Sequence, residues 1–281
     1  MIEKSDFEIF DTQINSNIDF IITLGGDGTI LWAAKQFNKG PVPPLITFSQ
    51  GSLGFMCNFM FKDKDEVLLP VLRSSAQGVS PQEIGLDNRL RLRVDMGPDT
   101  KKVRGVFRGD QLENSEEVLV ENLHVVNEVV IDRGPSPYTI QVNIYIDNNL
   151  ITCSTGDGLI ISTPTGSTAY NLSAGGSICA TSSEVILVTP LAPHSLSFRP
   201  LILPSSSEIR VEKVNDNRNA AWVALDGANR LKLSDGESIV IRGASNPLQM
   251  VTLKSDNLSD LWAQRLTNMF GWNQREQNKP L

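Results

Sequence analysis

The feature that most constrains this chain is a unit of sequence grammar that occurs twice near its start. Ile18-Asp-Phe-Ile-Ile-Thr-Leu24 is an apolar run rich in β-branched residues, the composition of a buried strand. Gly25-Gly-Asp-Gly-Thr29 breaks it, and Ile30–Phe37 then has helical composition. Leu45–Phe48 and the glycine turn Gly51-Ser-Leu-Gly54 repeat the strand and the break, with an amphipathic stretch at Glu66–Leu72 beyond. Strand, glycine loop and helix in succession predict an α/β layer. Pro70 interrupts the second helical stretch, which is therefore expected to be kinked or short.

After about residue 86 the pattern changes. Arg89-Leu-Arg-Leu-Arg-Val94 alternates strictly, which predicts a half-exposed strand with a solvated arginine face, and 95–116 read as a loop or loose hairpin. Strand-like runs follow at Leu123–Ile131, Thr139–Ile146, Leu150–Cys153, Leu159–Ser162, Val185–Thr189, Glu208–Val214, Ala221–Leu225, Ser238–Ile241 and Met250–Leu253, with Asp147-Asn-Asn149 as a hairpin turn. Many short strands between turn signals predict a mainly β domain. Leu258–Phe270 reads as a closing helix. The expected layout is an α/β domain over 1–85, rejoined by the C-terminal helix within 255–281. A mainly β domain spans 86–254, with a cleft between the two.

Composition narrows the function classes. At 281 residues the chain can bury a sizeable core without disulfides or metals. Its three cysteines form no CxxC pair and it has two histidines, which argues against a zinc ribbon, a disulfide scaffold or multi-histidine metal chemistry. His124 is expected on a β surface, His194 in a loop, and Trp222 and Trp262 in the core. A formal charge of −7 disfavours a nucleic-acid or anionic-membrane partner. No apolar run reaches the roughly 18 residues of a membrane-spanning helix. The segment Met1–Asp19 carries Glu3, Asp6, Glu8, Asp11 and Asp19 against Lys4, the wrong sign for a transit peptide, so the expected compartment is the cytoplasm.

Three constellations can carry chemistry. The Gly25–Thr29 loop, between a strand and a helix, turns backbone N–H groups toward a helix N-terminus, which suits phosphate. It lacks the Lys-Ser/Thr of a P-loop and the third glycine of a dinucleotide fingerprint. Asp27 at its centre makes sense beside phosphate if it takes a proton from a hydroxyl or holds Mg²⁺; the alternative is a tight turn with Asp27 as N-cap. Thr163-Pro-Thr-Gly-Ser-Thr-Ala-Tyr170 packs hydroxyls around one turn ahead of a short helix at 168–174, as a sugar or phosphate site needs; the alternative is an ST-rich turn capping its own helix. Asp157, between Gly156 and Gly158, is equally a turn residue. Asn127-Glu128 sit inside an apolar run, where two polar neighbours are costly unless paired or solvated.

Taken together, Gly25–Thr29, Gly51-Ser-Leu-Gly-Phe55, Asn127-Glu-Val-Val-Ile-Asp-Arg-Gly134 and Gly156–Tyr170 resemble the NAD kinase family. Pro193-His-Ser-Leu-Ser-Phe-Arg-Pro200 and Trp222-Val-Ala-Leu-Asp-Gly227 are similar to its eukaryotic branch. The resemblance implies an ATP-dependent kinase that phosphorylates the adenosine ribose 2′-hydroxyl of NAD, with Asp27 as the base. It implies that Gly25, Gly26, Gly28 and Thr29 meet the ATP phosphates. Asp27, Gly28, Phe55, Asn127, Glu128, Thr168, Ala169, Tyr170, Ser173 and Ala192 would meet NAD. Asp157 would reach NAD across a subunit interface, which implies a homodimer or homotetramer. Mg²⁺ would arrive with ATP, with no protein ligand assigned to it and no tightly bound organic cofactor. The family pattern also opens with a strand and helix ahead of Ile18, so the α/β domain is expected to lack that unit or to have residues 1–17 in its place.

Two other readings compete. A lipid kinase shares the glycine loop but predicts membrane-binding segments and no Thr163–Tyr170 motif. A non-catalytic NAD(P)-binding sensor explains the binding motifs but gives no reason for a carboxylate inside the phosphate loop.

Overall fold

In the computed structural model, which describes residues 18–76, 84–97, 100, 103–108, 111–118, 120–215, 220–254 and 256–272, the strands form three sheets. The first belongs to the α/β domain. Ile21–Leu24 runs parallel to Leu45–Ser49, with Ile21 opposite Leu45 and Leu24 opposite Phe48. Leu45–Ser49 is buried throughout and also lies parallel to Phe59–Met60 and to Leu248–Leu253, which pairs antiparallel with Ile84–Arg89. Helix Asp27–Lys35 presses Ile30, Ala33 and Ala34 onto Leu45, Met56, Cys57, Leu248 and Met250. Helix Lys64–Ala76 places Val67 and Val71 against Ile46, Phe48, Phe59 and Val251.

Two details differ from the sequence reading. Ile18–Leu24 is not buried throughout; its strand part, Ile21–Leu24, has one neighbour among the described residues, and Ile22 and Leu24 are 45% and 51% exposed. Pro70 does not shorten its helix, which runs 13 residues through it. The carbonyl that Pro70 leaves unpaired, that of Glu66, belongs to an exposed residue, where water can take the lost hydrogen bond.

The other two sheets, of six and eight strands, form the β domain. They face each other across one core that draws Leu92, Val94, Ile144, Val211 and Ile241 from the six-stranded sheet and Val129, Ile131, Leu159, Ile161, Val188 and Val223 from the eight-stranded one. Alternation along each strand decides the faces: Val129 and Ile131 point into this core, while Val130, Ile160 and Ala224 form a small cluster on the outer face. The chain thus has an α/β domain and a mainly β domain, as expected. Residues 103–108 and 111–118 pair as a hairpin, and at Asp147-Asn148 both residues take the left-handed conformation of a two-residue turn.

The junction between the domains is where sequence reading failed most. Arg89–Val94 is not one half-exposed strand. It is split between Ile84–Arg89 in the first sheet and Leu92–Met96 in the β domain, and Arg89 and Arg91 are 3% and 1% exposed. Arg89 pairs with Asp87 at 2.6 Å, and Arg91 donates to the carbonyls of Asn246, Gly40 and Phe37. Buried carbonyls at a chain crossing supply what water supplies on a surface, so the alternation misled. Burial pulls the Arg91 guanidinium down to about 10. His124, expected on a surface, is buried too, and its backbone N–H donates to Asn38 O at 2.7 Å. Trp222 and Trp262 are only partly buried, at the outer layers rather than in the core. The strands Ile84–Arg89 and Leu248–Leu253 pair with each other in the first sheet, and the strands of the other two sheets lie between them in the sequence.

Helix Leu258–Phe270 closes the chain. Asn257 caps it through Oδ1, which accepts Ser259 N–H at 3.1 Å, and Gly271, at φ 53°, ends it. Its Arg265 donates to the carbonyls of Phe55 and Cys57 and to Asn58 Oδ1, so this helix fastens the second glycine loop.

Candidate functional site

The first glycine loop is held from below and open above. Gly25 N–H donates to Phe48 O at 2.9 Å, and a Cβ on Gly25 would stand 2.2 Å from Thr29 Oγ1, so only glycine fits there. Gly26 and Gly28 are different: both are exposed and nothing lies within 4 Å of where a Cβ would stand. Their missing side chains serve no packing, and they leave the N-terminus of a nine-residue helix bare to an approaching anion.

Asp27 is the first residue of that helix; the N-cap is Gly26, so the N-cap alternative is excluded. The Asp27 carboxylate instead takes two backbone donors from the second glycine loop, Phe55 N–H at Oδ2 and Met56 N–H at Oδ1, both at 3.0 Å. A Cβ on Gly54 would lie 2.3 Å from Asp27 Oδ1, which explains the glycine there. The two repeated units therefore meet at one carboxylate. Cys57 Sγ donates to Gly25 O at 3.1 Å beneath the loop, and burial, with Asp27 nearby, pushes its thiol up to about 11. Such a thiol is inert at neutral pH. The Phe55 ring packs on Phe270, with centroids 5.9 Å apart.

Asn127 and Glu128 stand where the β domain meets the glycine-loop helix, because Val126 packs its side chain into that helix's core. The expected strand Leu123–Ile131 is broken here into Leu123–Val125 and Glu128–Asp132. The break is filled by Asp226, whose carboxylate accepts the N–H groups of Val126, Asn127 and Glu128 at 2.8, 2.7 and 3.2 Å. Glu128 is buried and its Oε2 has no partner. Burial first, and the neighbouring Asp226 second, push its carboxyl up to about 7.

The Thr163–Tyr170 segment joins Asn127 directly. Thr163 N–H and Ser162 Oγ donate to Asn127 O at 2.9 and 3.2 Å, and Thr163 Oγ1 donates to Val126 O at 2.6 Å. A Cβ on Gly166 would stand 2.3 Å from Asn127 O. Thr163 and Ser167 thus spend their hydroxyls on carbonyls inside the fold, neither Thr165 nor Ala169 caps its helical turn through a side chain, and Thr165 Oγ1 is buried without a partner. The helical turns Gly166–Thr168 and Tyr170–Ser173 leave Tyr170 and Ser173 exposed and Thr168 and Ala169 half-buried. Asn171 anchors them from beneath: it donates to Ser167 O and Ser177 O, both at 3.1 Å, and accepts from Thr189 Oγ1 at 2.6 Å.

Asp157 and Ala192 lie together but away from Asn127. Asp157 N–H donates to Leu191 O at 3.0 Å, and Ala192 adopts a left-handed φ of 41°. In strand Gly158–Ser162, Ser162 is paired with Glu128 and Gly158 with Asp132. Asp157 is therefore a strand's length from Glu128, roughly 16 Å at 3.3 Å per residue. Its Oδ1 takes Arg133 Nε at 2.9 Å. Ala174, at the end of the motif helix, and Leu191 pack on the same outer cluster of Val130, Ile160 and Ala224. The structure thus assembles two groups, the glycine loops around Asp27 and the Asn127–Glu128–Thr163 turn, while Asp157 and Ala192 stand apart from the second.

Among the described residues, no three His, Cys, Asp or Glu side chains converge as metal ligands would. Sequence reasoning missed Asp226, Asn171 and Arg265. The Asp226-Gly227 pair was a turn signal, but nothing local says which amides its carboxylate reaches.

The family models of the ATP-NAD kinase N-terminal domain and C-terminal domain match residues 5–75 and 126–253. An ATP-NADH kinase of Saccharomyces cerevisiae is 40% identical over 271 residues, covering 96% of this chain and 52% of that protein. A probable NAD kinase of Oryza sativa subsp. japonica is 46% identical over 228 residues, 81% of this chain and 39% of the relative. The chain therefore spans about half the length, or less, of these relatives. The crystal structure of yeast NADH kinase complexed with NADH superposes with a TM-score of 0.73 at 33% identity, over 94% of this chain and 69% of that one. An Archaeoglobus fulgidus NAD kinase in complex with ATP, at 21% identity and TM-score 0.63 over 90% of this chain and 82% of its own, shares the fold.

Proposed function

Since the chain belongs to the ATP-NAD kinase family, we propose that it transfers the γ-phosphate of ATP to the 2′-hydroxyl of the adenosine ribose of NAD. The observation that carries the reading is Asp27, a carboxylate oriented by two N–H groups at the mouth of a glycine loop with open space above Gly26 and Gly28. Each Asp27 oxygen accepts one N–H bond and keeps a lone pair free. In the transfer the ribose oxygen bonds to the γ-phosphorus, its proton passes to Asp27, and the bond from that phosphorus to the β–γ bridging oxygen breaks, releasing ADP. A positioned base contributes about 10²- to 10⁴-fold. Alignment and charge neutralisation supply most of the rest, with Mg²⁺ entering as part of the ATP substrate.

In this reading Gly25, Gly26, Gly28 and Thr29 face the ATP phosphates, and Phe55, Asn127, Glu128, Thr168, Ala169, Tyr170, Ser173 and Ala192 face NAD. Asp157 serves the site of a second copy, so the active form is a homodimer or homotetramer. No described helix is long and apolar enough to cross a membrane, and the three cysteines are free, which fits a reducing compartment; we place the activity in the cytoplasm.

The test is NADP formation from NAD and Mg-ATP by the purified chain, read through an NADP-specific dehydrogenase, with NADH run alongside. Asp27→Asn is expected to lose turnover while NAD still binds. Turnover retained within a few-fold would remove Asp27 as the base, and NAD binding without turnover in the parent would favour the sensor reading.

A further inference from the structure

Asp226 does for the dinucleotide side what Asp27 does for the phosphate side. Each carboxylate comes from one element and takes consecutive backbone N–H groups of another: Asp27 those of Phe55 and Met56, Asp226 those of Val126, Asn127 and Glu128. The Asp226 clamp is reciprocal, because Asp226 N–H donates to Glu128 O at 3.0 Å. Asp226 and Gly227, at φ 47° and 68°, form the two-residue turn between strands Ala221–Leu225 and Ala228–Leu233, which fixes where the Asp226 carboxylate stands.

We propose that Asp226 is a positioning residue for NAD, fixing the turn from which Asn127 and Glu128 reach the dinucleotide and seating that turn against the glycine-loop helix. This rests on the kinase reading above. The seat is visible in the packing. Val126, held by Asp226 through its N–H, buries its side chain among Ile30, Ala33 and Ala34 of the helix. Charges converge there as well: Lys35 at the end of the helix and Arg91 from the domain crossing both act on Asp226, and Asp226 acts on Glu128. Without the clamp, three donors lose their acceptor and the strand can run straight through 126–127, which would swing Asn127 off its bonds to Thr163 and Ser162.

Asp226→Asn is the informative variant. Asparagine tolerates the left-handed backbone well, so the change isolates the acceptor chemistry. Its single amide oxygen cannot serve all three donors, and its NH₂ opposes one of them. The expected result is a KM for NAD raised about tenfold or more, a KM for ATP within about twofold, and faster hydrogen exchange at the amides of Val126–Glu128. KM values that stay put, or that rise together with a fall in the unfolding midpoint, would overturn the proposal. If Asp226→Asn does not fold, Asp226→Ser keeps one acceptor and is read the same way. A parent chain that binds no NAD by calorimetry would overturn the kinase reading and this proposal's ligand with it. A parent that binds while the variant binds equally well would overturn Asp226 alone.

Discussion

Replacing Glu128 by Gln should stabilise the protein increasingly as the pH rises. Glu128 is buried, its Oε2 has no partner, and burial with Asp226 nearby holds its carboxyl at about 7 against an ordinary 4.5. The folded state therefore binds a proton that the unfolded state has already released. For a raised folded-state pKa, stability is fully present below 4.5 and is lost as pH rises through about 7. The full shift corresponds to about 3 kcal/mol. Gln carries no charge, so the variant escapes this loss. Burying an amide where a carboxyl stood costs about 1–3 kcal/mol of its own, but that cost does not depend on pH. The observable is the change in the gap: denaturant unfolding at pH 5, 7 and 8.5 should show the variant gaining on the parent by about 2–3 kcal/mol across the range. A gap constant to about 0.5 kcal/mol, or one that closes as pH rises, would show that Glu128 is not held protonated by its surroundings. On the proposed reading the same variant should also bind NAD more weakly, which calorimetry of the two proteins checks.

Gly54→Ala places a methyl group 2.3 Å from Asp27 Oδ1 and must displace the carboxylate. Single-turnover assays are expected to show about a hundredfold slower transfer, with about 1–3 kcal/mol of lost stability. Unchanged transfer would mean the Asp27 geometry does not matter. Arg265→Ala strips three acceptors, Phe55 O, Cys57 O and Asn58 Oδ1, of their donor. It should cost about 3 kcal/mol in denaturant and speed thiol labelling at Cys57. Asn171→Ala removes three hydrogen bonds beneath the Thr163–Tyr170 turn. It is expected to lower stability by about 2–3 kcal/mol, read from the unfolding midpoint, and to weaken NAD binding, with ATP binding unchanged.

The local elements were legible where one period dominates. Ala221–Leu225 and Leu258–Phe270 appear as read, because a fully apolar strand and a capped amphipathic helix leave little choice. Strands Leu201–Pro204 and Ala228–Leu233 escaped notice, the first closed by a proline and the second half polar. The glycine loops and the Thr163–Tyr170 segment stood out because glycine and hydroxyl residues mark special backbone directly. Arg89 and Arg91 were misread because alternation reports which way a side chain points, not whether water or protein lies there.

By itself the sequence determined the α/β layer, the mainly β domain and the family, since these follow from periodicity, glycine placement and ordered motifs. Only the tertiary structure decided how the candidate site is held. Asp27 meets the amides of Phe55 and Met56, 28 and 29 positions away, and Asp226 meets those of Val126–Glu128 across about a hundred residues. Backbone N–H groups are the same at every residue except proline, so no side-chain pattern can mark which of them a distant carboxylate will take. That choice is made when the sheets pack and two loops are brought within 3 Å of the same oxygen atoms.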